Sequence, residues 1–173
     1  MSAKHWGSAA LFGLISLFPA LAQTPGSRQT REFVQAAGES DAFEIAEAYS
    51  ALAESQSPQV LDFARQMIHD HRMTSERLRD ATASAGLAPP PAGLGAGQAP
   101  FLAALQSARG ADFDQTYWRQ QMLAHRSALI VEQTYAVVGD TAAIRDAATA
   151  AVPLIQSHLA MAEAMIAKSD KGS

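Results

Sequence analysis

The chain of 173 residues contains no cysteine, which excludes thiolate metal sites, disulfide bonds and thiol catalysis. Aromatic residues make up only 7% of the chain and charged residues 17%, whereas 48% of the residues are hydrophobic. Alanine is abundant and β-branched residues are few, a composition that favours packed helices over a sheet. Basic residues are scattered and the formal net charge is −4, so no nucleic-acid-binding groove is expected.

The N-terminal stretch is typical of a secretory signal peptide. Lys4 precedes an apolar run from Trp6 to Phe18, and Ala20-Leu21-Ala22 supplies the small residues of a cleavage site. We predict a signal peptide over 1–22, so that the mature chain is exported to the periplasm, the outer membrane or the medium. An uncleaved anchor is the alternative. After cleavage we expect no transmembrane span.

Apolar residues recur with helical spacing over most of the remaining chain. A disordered polar tether is expected over 23–29, and a flexible tail over 169–173. Between them, the pattern predicts four long helices over about 30–54, 58–85, 113–138 and 141–168. Residues typical of helix starts are Thr30, Ser57, Asp112 and Asp140, and residues typical of helix ends are Gly86 and Gly139.

The connections between these helices differ in length. Short links join the first helix to the second and the third to the fourth. The segment 88–100 is rich in Pro and Gly and predicts a long crossover loop between the second and third helices. A short helix is expected from Pro100, ending at Gly110. This pattern predicts an all-α fold, a four-helix bundle over 30–168.

Three of the four helices carry a histidine on their apolar face, and the first carries a glutamate there. Because helix midpoints meet in one layer of a bundle, we expect these side chains to converge: Glu44, His71, His125 and His158. Three imidazoles and a carboxylate could bind copper, zinc or iron. Around them we expect a supporting shell of Asp41, Asp70, Met67, Met122 and Met161.

A second interpretation remains open, in which the histidines form a structural layer and hydrogen-bond to one another or to nearby acids. The methionines could equally be core filling. No Glu-x-x-His motif of di-iron proteins occurs, and no motif of nucleophilic or nucleotide chemistry, so an enzyme is not predicted. His69 is expected at the surface. Glu132 is either an extra ligand or a residue at a solvated end of the bundle, and we favour the solvated end.

Several short segments together resemble one family of secreted bacterial proteins. The matching pieces are 33–37 with Glu44-Ile45, Ser57-Pro58 with 63–64 and 67–71, Phe113-Asp114 with Tyr117 and His125, and Pro153-Leu154 with His158-Leu159. The chain resembles domain-of-unknown-function family 4142, whose members are often labelled outer membrane proteins. The resemblance covers about 31–167 and implies a ferritin-like bundle. Ala124 departs from the family, which often has an acid there.

The family carries no established activity, so the function is predicted from the histidine layer. We expect an exported protein that binds a metal ion or small ligand in its core and serves in metal handling or envelope stress. The alternative is a non-enzymatic envelope protein that interacts with another envelope protein and whose histidines are structural.

Overall fold

The computed structural model describes residues 26–172, and all of the secondary structure within that range is helical. The helices are α1 (Arg28–Glu54), α2 (Pro58–Ser84), α3 (Ala99–Ser107), α4 (Gly110–Val138) and α5 (Ala142–Gly172). The prediction of an all-helical fold is confirmed for these residues. The predicted signal peptide over 1–22, and residues 23–25 of the predicted tether, lie outside the described residues.

Helix starts differ from the sequence prediction at two places. The side chain of Ser27 caps α1 by accepting a hydrogen bond from the backbone N–H of Thr30 at 3.0 Å, so Thr30 is not the cap. The hydroxyl of Thr30 instead forms a 2.7 Å hydrogen bond with the hydroxyl of Tyr135. Helix α4 begins at Gly110, which places Asp112 in its first turn rather than at its cap.

Differences also occur around α5. The carboxylate of Asp140 accepts a hydrogen bond from the Thr30 hydroxyl, and the first turn of α5 instead starts at the carbonyl of Thr141. Asp140 therefore joins the ends of α1 and α4 rather than capping α5. At its other end α5 continues to Gly172, past the predicted end near Lys168.

The four long helices pack side by side in the cyclic order α1, α2, α5, α4. Helices α1 and α4 are antiparallel, because Thr30 near the start of α1 contacts Tyr135 near the end of α4. At the opposite end of α1, the hydroxyl of Ser55 donates to the carboxylate of Asp114. The short links make α2 antiparallel to α1 and α5 antiparallel to α4. The connection through 85–109 must therefore return along the length of the helices.

Gly38 allows this connection to pack against α1. A Cβ atom built on Gly38 would lie 2.8 Å from Cβ of Pro90, closer than ordinary packing allows. The absence of a side chain on a buried helix face therefore brings the proline segment into contact with α1. Although glycine lowers helix propensity, its small size is required here.

We expect the substitution Gly38→Val to displace the proline segment and to destabilise the fold by about 1–3 kcal/mol, the usual cost of overpacking. Ala53→Val, at an exposed position of the same helix, controls for the helix propensity of valine. Urea unfolding measures both variants. Equal stability of the two variants would contradict a packing role for Gly38.

Apolar residues form two core clusters, one near each end of the long helices. One cluster includes Phe63, Met67, Tyr117 and Trp118. The other cluster is built around Phe33, Leu78, Tyr135 and Ile144. Along each long helix, the residues between the two clusters include a buried polar side chain. The clusters thus enclose a polar layer and hold it away from solvent.

Helix α5 is also long and apolar enough to cross a membrane, by length and composition only. We expected no transmembrane span after the signal peptide, and that expectation stays a prediction, because the core helix of a soluble protein can pass the same test. The buried face of α5 includes Ile144, Ala148 and Ile155, which contribute to the protein core. Pro153 lies within α5, and the helix continues on both sides of it.

Candidate metal centre

The polar layer contains the three histidines that the sequence predicts to converge. His71 comes from α2, His125 from α4 and His158 from α5, and each ring is 2% exposed or less. The ring centroids lie 5.6 Å apart for His71 and His125, 5.6 Å for His71 and His158, and 5.2 Å for His125 and His158. The helical stripes read from the sequence therefore bring the three rings into contact.

Each ring has one nitrogen that faces a hydrogen-bond acceptor outside the trio. Nδ1 of His71 lies 2.8 Å from Oδ1 of Asp41, and Nε2 of His158 lies 2.9 Å from Oδ2 of Asp70. Nδ1 of His125 lies 2.8 Å from the backbone carbonyl oxygen of Gln121. A carbonyl or ionised carboxylate can only accept, so the outer nitrogen of each ring carries a proton.

In the neutral form of each ring, the inner nitrogen is therefore a bare lone pair that faces the other two rings. Nε2 of His71 is buried and has no hydrogen-bond partner. Nε2 of His125 lies 3.2 Å from Nδ1 of His158. With both protons on the outer nitrogens, that short approach brings two acceptors together without a donor. One potential ligand atom from each of the three residues lies within 4.8 Å of the others. A proton or a cation at the centre would remove this repulsion.

Burial opposes a proton on the inner nitrogens of His125 and His158. It lowers the pKa of His125 from 6.5 to about 3, helped by the neighbouring His71. It also lowers the pKa of His158 to about 4, although the hydrogen bond to Asp70 acts in the opposite direction. At neutral pH these imidazoles are therefore neutral, which is the protonation state that binds a metal ion.

The distances suit a small transition-metal ion. Metal–imidazole bonds of about 2.0–2.1 Å in a tetrahedral shell place nitrogen atoms about 3.3 Å apart. The 3.2 Å between His125 and His158 already matches that edge, and His71 must approach by a small movement. The carboxylates behind His71 and His158 fix the ring orientation in the way that supporting acids do in metal sites.

Asp41 and Asp70 thus lie where the sequence analysis expected supporting residues. Asp41 also accepts hydrogen bonds from the hydroxyls of Thr74 at 2.8 Å and Ser75 at 2.9 Å. Three donors therefore hold this carboxylate in place behind His71. Of the three methionines, Met67 belongs to the apolar cluster that includes Phe63, and Met122 and Met161 pack against that cluster.

Glu44, the fourth predicted ligand, lies on the other side of the His125 ring. Its Oε1 atom is 3.6 Å from Nδ1 of His125, the nitrogen that already faces the Gln121 carbonyl. Glu44 therefore faces the outer nitrogen of His125 and is not part of the trio of inner nitrogens. The convergence of all four side chains on one point is not seen.

Glu44 instead belongs to a second buried polar group. The side-chain N–H groups of Gln121 donate to Glu44 at 2.5 Å and to Glu47 at 2.9 Å. Burial and mutual repulsion raise the pKa of Glu44 well above its usual value, and burial raises that of Glu47 to about 8. The hydroxyl of Tyr117, near both acids, has no hydrogen-bond partner.

Glu47 and Gln121 were not predicted from the sequence. Helical spacing could have indicated both residues. Glu47 lies three residues after Glu44 and Gln121 lies four residues before His125, so each shares a helix face with a predicted site residue. His69 is exposed, as predicted. Glu132 was expected at a solvated end, and this was wrong, because only 8% of Glu132 is exposed.

These observations define an all-helical protein whose core contains three mutually facing histidines supported by carboxylates. The chain belongs to the DUF4142 family, described as a domain of unknown function, whose model matches residues 17–165. The resemblance seen in the sequence is therefore confirmed for the family. Comparison with curated proteins and with solved structures gave no significant match.

Proposed function

We propose that the protein binds one transition-metal ion at His71, His125 and His158 and acts in metal handling or stress protection in the cell envelope. The observation that carries the proposal is the convergence of one nitrogen from each of three buried rings, while the other nitrogen of each ring faces a hydrogen-bond acceptor. A cation at their centre resolves the repulsion between the lone pairs.

The donor set favours zinc or copper among the candidate ions. Imidazole nitrogen suits both, and the trio offers no carboxylate of the kind that holds carboxylate-rich iron centres. Glu44 approaches only the outer nitrogen of His125. The ring of Phe63 lies with its centroid 6.1 Å from that of His158 and gives the site an apolar wall. Nearly complete burial of the rings favours retention of an ion over turnover of a substrate.

The proposal also includes the fold and the location: a ferritin-like four-helix bundle that is exported from the cytoplasm. It is supported by the cyclic packing of four long helices and by the lengthwise connection between α2 and α4. Export is supported by the signal-peptide pattern over 1–22. A mature N-terminus at Gln23, measured by intact mass, tests the export step separately from metal binding.

The metal content of the purified protein tests the proposal. We expect about one zinc or copper ion per chain, because one set of three nitrogens defines one site. His71→Ala and His158→Ala should each lose that ion, since either change leaves only two imidazoles. Elemental mass spectrometry on protein purified from the exported fraction measures the stoichiometry.

Two further variants control for folding and for non-specific binding. His69→Ala removes an exposed histidine from the same helix as His71 and should leave the metal content unchanged. Asp70→Asn retains His158 but weakens its orientation and should lower metal affinity by about 10- to 100-fold. Wild-type protein that takes up no copper, zinc or iron on reconstitution would sink the proposal in favour of a structural histidine layer and an envelope partner.

A further inference from the structure

A separate cleft of about 430 Å³ lies along α1 and α4 and is covered in part by residues 95–98 and by α3. Its walls are mostly apolar and include Phe43, Phe101 and Val131. Phe101 and Leu123 at this cleft are each 52% exposed, a high value for large apolar side chains. Its volume is in the range of clefts that bind small organic molecules.

Two acceptor groups in this cleft have no hydrogen-bond partner. Glu132 is 8% exposed, and its carboxylate makes no hydrogen bond or ion pair with the described residues. Oε1 of Gln120 is likewise buried and unpaired, while the side-chain N–H of Gln120 donates to the carbonyl of Phe101 at 3.0 Å. The two residues lie about 18 Å apart along α4 at the helical rise of 1.5 Å per residue. The cleft is therefore elongated, with Glu132 at one end.

The charge of the residues that line the cleft indicates which chemical group of a ligand would complement Glu132. Among the described residues, Glu39 and Glu132 line the cleft and no Lys, Arg or His does. Glu132 also borders a small cavity lined by Asp41 and Arg77, but it forms no ion pair with Arg77. Burial, together with the nearby carboxylate of Asp41, raises the pKa of Glu132 to about 8. A raised pKa is expected for a buried carboxyl group that has no cation beside it. An ammonium group, which only donates, would satisfy Glu132, and an alkyl chain would cover the apolar walls.

We propose that this cleft binds a single-chain amphiphile whose head is a protonated amine, with the ammonium group at Glu132 and the alkyl chain along α4. The cleft and the histidine trio involve different side chains. Amine binding can therefore be measured whether or not the histidines hold a metal ion, because none of them lines the cleft.

Calorimetric titration of the purified protein with octylamine, octanol and octanoate tests the proposal. Octylamine should bind at least about tenfold more tightly than octanol, because only the amine offers a charged donor to Glu132. Octanoate should bind most weakly, because its head repels the acidic lining. Glu132→Gln should reduce octylamine affinity by about tenfold and leave octanol affinity unchanged.

Two controls locate the binding and exclude general effects. Glu76→Gln removes an exposed acid from α2 and should not change octylamine affinity. Ala128→Trp fills the cleft and should abolish binding of both the amine and the alcohol. Equal affinity for amine and alcohol, unchanged affinity in Glu132→Gln, or binding that survives Ala128→Trp would each overturn the proposal. A dimer that Ala128→Trp dissociates in sedimentation would instead assign the cleft to a second copy.

Discussion

Saturating zinc or copper should stabilise the folded chain by about 4 kcal/mol when the free ion exceeds its dissociation constant by about a thousandfold. The reason is that only the folded state holds His71, His125 and His158 with their inner nitrogens together. In the unfolded chain the three side chains are separated by 54 and 33 residues in sequence. For a domain of this size the change corresponds to about 10 °C in the unfolding midpoint.

Thermal and urea unfolding followed by circular dichroism, with metal and with a chelator, measure this stabilisation. His125→Ala should abolish the difference between the two conditions, whereas His69→Ala should retain it. The comparison within each variant separates loss of the ion from loss of packing, because the chelated form of the same variant is the reference. Equal stabilisation of wild type and His125→Ala by the ion would place the metal elsewhere.

The buried polar layer between the two apolar clusters lowers the stability of the fold unless a ligand pairs its polar atoms. Unpaired atoms occur together there, on His71, Glu44, Glu47 and Tyr117. Each buried polar atom without a partner costs about 1–3 kcal/mol, so the layer without a ligand is unfavourable for folding. Two apolar clusters on either side contribute the burial that offsets this cost. A bound ion would remove part of it at the histidine trio.

Helical periodicity predicted the meeting of His71, His125 and His158, because a histidine at the middle of an apolar stripe must face the centre of the helices. It could not predict which nitrogen faces inward, since that depends on Asp41, Asp70 and the Gln121 carbonyl. The same limit explains the misplaced Glu44. Periodicity gives the face of a helix, whereas ring rotation and side-chain reach decide which atoms meet.

Helix starts were the other weak point of the sequence prediction. Thr30 has a residue type suited to a cap, and Ser27, three residues earlier, has one as well. The long-range hydrogen bond between Thr30 and Tyr135 decides between them, and no local pattern contains it. Glu132 was misassigned for a similar reason. Its burial comes from helix packing on both sides of α4, which is tertiary information.

The free energy of unfolding should depend strongly on pH in protein that a chelator keeps free of metal. Burial raises the pKa of Glu47 from 4.5 to about 8, and that of Glu132 from 4.5 to about 8. Between these values the folded state keeps protons that the unfolded chain has lost. Stability should therefore fall as pH rises, by up to about 1.4 kcal/mol per pH unit for each group.

The histidines act in the opposite direction at lower pH. Their pKa values fall from 6.5 to about 3 for His125 and about 4 for His158, so below pH 6.5 the unfolded chain takes up protons that the folded state excludes. Their contribution to stability is present above 6.5 and is lost as pH falls toward 3–4. Between pH 4.5 and 6.5 the two trends offset each other, and above 6.5 only the buried acids act.

Stability of the metal-free protein should therefore decline between pH 6.5 and 8, by roughly 2–4 kcal/mol. Urea unfolding at closely spaced pH values measures the slope. Glu47→Gln should make the slope smaller, because Gln keeps the shape but cannot ionise, and Glu76→Gln at an exposed position should leave the slope unchanged. A stability that is flat or rises over this interval would show that Glu47 and Glu132 are already ionised in the folded protein, and would remove the electrostatic argument for an unmatched acid in the cleft.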